Sequence, residues 1–352
     1  MPPSRMRRAV ELGTGFWSAS CSLGAIRRAL PHGATGAVCD AWLVARAVLE
    51  ERKTWVPLLD GILELDPRAS DADAAWKLYC SIAAGAAAIL ESTHRRTGGA
   101  QGLVSVQVDP SFAGDHHAMV ARAEALAASA PNFVIGIPCT PAGLAAIEEL
   151  SARDFRLDAA ACWSVSQALA ADEAMECGRL RARSRRPPDP AETPPTCFVT
   201  MDLKGIEGAV RGTVARLGTG VEPSAIEWAP VAVFKRARAL LRERGCRSAL
   251  SASCGGSRLW TELVGGDAVL RLPPEEWARF NESAAPVERA LVRPVDPSVL
   301  AELQKAEVFP KLYEPGRLED GELDSLSKAA LALPLEGRTA LLDLVRGRRK
   351  KA

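Results

Sequence analysis

No run of eighteen apolar residues occurs in this 352-residue sequence, so none of it reads as a membrane-crossing helix. An excess of one charge is missing too. Lysine and arginine number 44 against 43 aspartate and glutamate, a net charge of +1, which gives no general attraction to nucleic acid or acidic partners. There is no C-x-x-C pair, and the nine cysteines are neither dense nor regularly spaced. They make no disulfide framework, and no metal site is read from them. The start, Met1 to Ala9, carries arginines but no apolar h-region of signal-peptide type. Gly13 and Gly15 form a lone Gly-x-Gly without the helix-opening glycine of a dinucleotide turn. These absences lead us to expect a reduced, cytoplasmic protein with no membrane or nucleic-acid partner and no cofactor.

What is present is alternation. Short apolar runs read as strands at Gly15–Trp17, Thr35–Asp40, Gly102–Pro110, Pro131–Thr140, Arg156–Trp163, Thr196–Asp202, Ser248–Ser253 and Ala268–Leu272. Helical stretches separate most of them, including an alanine-rich one from about Ser70 to His94 with a glycine stop at Thr97-Gly98-Gly99. Thr140 caps the helix after the fourth run, and Pro141 sits at its first position, where the missing N–H costs nothing. Eight strands in this order predict a single α/β domain over 1–352, a (β/α)8 TIM barrel; a doubly wound open sheet is the alternative. Residues 184–196 read as a Pro-rich surface loop, since each proline removes a donor. Residues 285–352 read as a helical C-terminal extension, broken at Pro294, Pro310, Pro315 and Pro334. Its basic end, Arg346 to Lys351, reads as a solvated, frayed tail.

Several motifs resemble the transaldolase family, most closely its longer actinobacterial members. Pro131-Asn132-Phe133-Val134-Ile135-Gly136-Ile137-Pro138-Cys139-Thr140 is similar to the family's P-N-V-x-I-K-I-P-A-T. Residues Thr97 to Pro110 are similar to T-G-G-x-x-G-x-V-S-x-E-V-x-P, and Trp260 to Gly265 to Y-x-x-E-L-I-G. The resemblance implies a transaldolase-type barrel with its site at the C-terminal strand ends. It also places the family's chemistry on changed residues. The Schiff-base lysine falls on Gly136, which has no nucleophile. The third-strand glutamate falls on Gln107, the second-strand asparagine on Asp40, and the fifth-strand N-x-T on Asp158 and Ala160. The first-strand acid falls near Ala19 and the phosphate-binding arginine on Met201. Without that planar fork of donors, a sugar phosphate is a poor expectation.

The replacements suggest a pocket of another character. Trp17, Trp42 and Trp163 stand at or beside strand ends and either line the mouth or pack behind the barrel. Asp40 and Asp158 form an acid/base couple if both face the mouth, with Gln107 as an orienting hydrogen bonder; they could equally hold an amine, or be satisfied by backbone N–H groups or neighbouring arginines. Cys139 and Cys254 lie at strand exits, although buried cysteine is usually a core residue. Arg271 is a new charge in the last strand, placed to recognise an anion or to pair with an aspartate. Lys204, just after the sixth strand, is an alternative nucleophile, and His116-His117 reads as surface. The expected function is lysine-independent cyclisation, dehydration, or C–C bond formation or cleavage at a carbonyl. Its small-molecule substrate would be apolar or cationic and belong to specialised metabolism. A homodimer or a biosynthetic partner enzyme is compatible with this. The alternatives are a catalytically inactive barrel acting as scaffold, and a residual aldolase using Lys204.

Overall fold

The structure is a computed structural model describing residues 3–185 and 195–350. Eight parallel strands close into a barrel in chain order: β1 (Gly15–Ser18), β2 (Gly36–Cys39), β3 (Leu103–Gln107), β4 (Phe133–Pro138), β5 (Leu157–Cys162), β6 (Phe198–Asp202), β7 (Ala249–Ser253) and β8 (Val269–Leu272). Closure is made by β1 on β8, with Trp17 opposite Arg271. Parallel strands buried on both faces need near-continuous apolar runs, which is why these segments read as strands without clean alternation. Helices cover the outside, and residues facing them form one continuous core from Met6 to Val345. No described helix is long and apolar enough to cross a membrane.

The expectation of eight strands holds, and several helices are additions to it. Ala41–Glu50 and Arg52–Leu65 lie between β2 and the long helix Asp71–Arg96, and Leu203–Leu217 follows β6 directly. Two predicted breaks are corrected. Pro310 lies within the short helix Val308–Tyr313, and the C-terminal helix Asp320–Arg349 runs through Pro334. A single proline forfeits one backbone bond, and thirty helical residues with a packed face absorb that loss. The Pro-rich loop lies for the most part outside the described residues.

The basic end is also not a free tail. Arg348 makes two bonds to Asp60, at 2.7 and 2.6 Å, while Arg346 and Arg349 pair with Asp71. These contacts pin the C-terminal helix to its neighbours. Further back, the helix lies over the C-terminal ends of the early strands. Gly337 sits so close to Ala41 and Trp42 that a Cβ there would be 2.3 Å from the Trp42 nitrogen. Arg338 Nε bonds Asp109 at 2.8 Å, and Ser327 Oγ donates to the Cys139 carbonyl at 3.3 Å. The loops after β2, β3 and β4 are thus held beneath one helix.

Candidate functional site

Inside the barrel, side chains follow a two-residue step that sorts them into tiers. Trp17, Val38, Leu103, Val134 and Phe198 form an apolar plug. The Trp17 ring lies across Gly36, where an added Cβ would fall 2.6 Å from it, and packs on Phe198 at 4.8 Å between centroids. Two residues beyond Leu103, Phe198, Ala249 and Val269, the last two packed against this plug, come Ser105, Thr200, Ser251 and Arg271. Asp158 is bound among them. Its carboxylate accepts from Ser105 Oγ at 2.7 Å, Thr200 Oγ1 at 2.5 Å and an Arg271 guanidinium nitrogen at 2.7 Å. Arg271 Nε donates to Ser251 Oγ at 2.7 Å, and its guanidinium carbon lies 4.9 Å from the Trp17 ring centroid. Asp158 is 0% exposed and Arg271 3%. These bonds offset the cost of burying two charges, although Arg271 Nη2 is buried without a hydrogen-bond partner among the described residues.

At the mouth, Asp40 follows β2 and caps the helix Ala41–Glu50, accepting from the Leu43 N–H at 2.7 Å. Asp202 ends β6 and caps Leu203–Leu217, accepting from the Gly205 N–H at 3.3 Å and from the Trp163 indole N–H at 3.0 Å. Both are half-buried. Burial pushes the Asp40 carboxyl above its ordinary 3.8, against the pull of the Leu43 and Trp42 N–H groups and Arg271, and the charge of Asp202 pushes it the same way. Burial also raises Asp202, against the bonds from Gly205 and Trp163. Two acids on opposite sides of the mouth therefore hold their protons to higher pH than free carboxyls do.

Gly136 and Gln107 meet on neighbouring strands. A Cβ at position 136 would lie 2.7 Å from Gln107 Cγ, so the glutamine stem takes the place where a side chain would begin. The Gln107 backbone is fixed by Tyr79, whose hydroxyl accepts from its N–H at 2.8 Å and lies 2.8 Å from the Cys39 carbonyl. Gln107 also borders a cavity of about 30 Å³, shared with Tyr79 and Arg338. That is room for a water and little more.

The other expected site residues scatter. Asp158 is corrected as a partner of Asp40: Ser105, Thr200 and Arg271 hold its carboxylate below the mouth. Arg271 is in the barrel but engaged there. Trp17 fills the bore and lines no opening. Met201 is corrected as well, because with Thr200 and Asp202 turned inward it faces the helices, in the outer core. Cys139 and Cys254 likewise lie in the outer core, the Cys254 thiol pushed far up by burial and by the charges of Asp202 and Glu276. Trp163 does reach the mouth, over Gly205, where a Cβ would fall 2.2 Å from its ring. Trp42 stands at the mouth beneath the C-terminal helix. Lys204 is exposed in the first turn of its helix, near enough to Asp202 for its charge to be felt there. His116 pairs with Glu149 at 2.9 Å.

Sequence reasoning missed Asp202, Ser105, Thr200 and Ser251 as site residues. Their signal was the two-residue step itself, in Leu103-Ser105-Gln107, Phe198-Thr200-Asp202 and Ala249-Ser251-Ser253, which places a polar group above each apolar one. Among the described residues, no group of three histidine, cysteine, aspartate or glutamate side chains could hold a metal ion.

The comparisons with known proteins agree with this architecture. Residues 20–210 match the family described as Transaldolase/Fructose-6-phosphate aldolase. Transaldolase 2 of Streptomyces coelicolor is 37% identical over 102 residues, covering 28% of this chain and 27% of its own. Transaldolase 1 of Streptomyces avermitilis is 31% identical over 139 residues, 39% of this chain and 33% of its own. The transaldolase of Mycolicibacterium paratuberculosis is 33% identical over 125 residues, 35% of this chain and 34% of its own. The matched stretches thus span about a third or less of these relatives. A family match over more than half of the chain, on a closed eight-stranded parallel barrel, decides the affiliation: the chain belongs to the transaldolase/fructose-6-phosphate aldolase family.

Proposed function

We propose that this barrel has given up Schiff-base chemistry and works as a lysine-independent enzyme, with Asp40 and Asp202 as its acid/base couple. The observation that carries the reading is that pair: two half-buried carboxyls at the ends of β2 and β6, both raised by burial, with Asp202 raising Asp40 further. The protonated member gives a proton to a carbonyl or departing hydroxyl oxygen. The ionised member removes one from the adjacent carbon. Gln107 orients the substrate by hydrogen bonding. This chemistry supports cyclisation, dehydration, or C–C bond formation or cleavage at a carbonyl. Gly136 supplies no amine, and the Gln107 stem occupies the start of any side chain there. The indoles of Trp42 and Trp163 favour an apolar or cationic substrate over a sugar phosphate, as in specialised natural-product metabolism.

The experiment is deletion of the gene in its host, followed by comparison of metabolites by mass spectrometry. Complementation uses wild type and the Asp40→Asn/Asp202→Asn double variant, which keeps both helix caps. A precursor that accumulates and is cleared by wild type alone supports the reading. Equal rescue by the folded double variant overturns it. That result would favour a second reading, an inactive barrel serving as a binding partner, for which the filled bore and the C-terminal helix over the loops after β2, β3 and β4 are the supporting observations. The Lys204 alternative is weaker, since that ammonium is exposed on its helix; borohydride with carbonyl substrates should add no mass there.

A further inference from the structure

Two pairs of thiols meet in the outer core, Cys21 with Cys39 and Cys139 with Cys162. The second borders a cavity, which neither Cys21 nor Cys39 lines. Cys139 forms part of the wall of a cleft of about 290 Å³, with Leu144, Leu169, Glu173 and Arg244 among its other borders. Cys162 reaches this place through a distortion of β5. The pairing of β5 with β6 shifts register between Ala159 and Cys162, and Ala161 sits at φ 62°, in the left-handed region. A residue with a Cβ adopts that region only where its surroundings force it. Regular alternation from Asp158 would send the Cys162 side chain into the bore. With the shift, Cys162 is paired with Met201, faces outward, and meets the Cys139 thiol on β4's exit. Pro138 stands opposite Ala160, and the Cys139 N–H donates to the Ala160 carbonyl at 3.0 Å, so both cysteines lie at this one junction of β4 and β5.

We propose that Cys139 and Cys162 form an oxidisable dithiol site, served through the cleft by a small hydroperoxide. Cys139 gives up its proton, and its sulfur attacks the peroxide's outer oxygen. The O–O bond breaks, an alcohol or water leaves with the proton, and Cys139 becomes a sulfenic acid. The Cys162 sulfur then attacks that sulfur, an S–S bond forms, and water leaves. The two thiols lose two electrons and two protons, all taken up by the hydroperoxide. Cys162, fully buried, stays a thiol until this second step, its pKa raised by the bond to Cys139 and by burial.

The test exposes the folded full chain to hydrogen peroxide or tert-butyl hydroperoxide. Remaining thiols are then alkylated in denaturant and the digest is read by mass spectrometry. We expect one peptide pair joined through Cys139 and Cys162 and two hydrogens lighter, with circular dichroism unchanged. Cys21 and Cys39, which do not line that cleft, should remain alkylatable. In Cys162→Ala, dimedone should mark Cys139. Full alkylation of Cys139 and Cys162 in oxidised wild type overturns the proposal even if the variant fails to fold. So does oxidation of Cys21 and Cys39 to the same extent.

Discussion

Gly136 and Gln107 divide one space between them, and that division sets the first prediction. A methyl at position 136 would come within 2.7 Å of the glutamine stem. Gly136→Ala should therefore cost about 1–3 kcal/mol through overpacking, read as a lowered urea midpoint. Gly136→Lys alone should yield no borohydride-trapped adduct, whereas Gly136→Lys/Gln107→Gly, which clears the stem, is the variant in which trapping could begin. Asp158 offers a larger effect. Asp158→Ala leaves the Arg271 charge unpaired and nearly inaccessible to water, a loss of about 3–5 kcal/mol. Asp158→Leu/Arg271→Met, which removes both charges, should recover much of it in the same titration.

Asp40 gives a pH signature of the opposite sign to a paired carboxylate. Its folded pKa is raised above 3.8, so between those values the native state binds more protons than the unfolded one. Its contribution to stability then falls as pH rises through that window. Asp40→Asn should be more stable than wild type at pH 7, the gain closing as pH drops below 3.8. Of these residues, Gly136, Gln107, Asp40 and Asp158 were legible from the sequence as positions. That Arg271 pairs with an aspartate was also an open reading; that the partner is Asp158 was not legible, because residues 113 apart in the chain reveal their pairing only once the barrel closes.

The C-terminal helix turns on a few contacts. Gly337 touches Trp42 so closely that Gly337→Ala must lift the helix from the mouth, although alanine is the better helix former by about 1 kcal/mol. At Gly347, with open space around the Cβ position, the same change should stabilise. Hydrogen exchange across Asp320–Arg349 separates the two: faster in Gly337→Ala, unchanged or slower in Gly347→Ala, with barrel strands protected in both. Here the sequence was a partial guide. Helix was evident, but Pro334 suggested a break, because local propensity carries no information about a packing face that stabilises all thirty residues. Docking was equally hidden, since Arg346, Arg348 and Arg349 look like a solvated tail until Asp60 and Asp71 are folded beside them.

For the molecule as a whole, one outer core joins the first helix to the last, with no described boundary of its own inside it. Calorimetry should accordingly show a single unfolding transition; two resolved peaks would contradict a one-domain chain. The strand order was readable because sequential strands in a (β/α)8 barrel are also spatial neighbours. Only the last pairing, β1 with β8, has no local signal.

That pairing has a consequence for how the protein is made. On the ribosome, Gly15–Ser18 emerges early, while its partner Val269–Leu272 is translated some 250 residues later. Throughout that interval the growing sheet has an open side. Unpaired strand edges recruit other chains, so nascent polypeptides stalled before Val269 should be a main source of aggregate in overexpression, whatever the stability of the finished barrel.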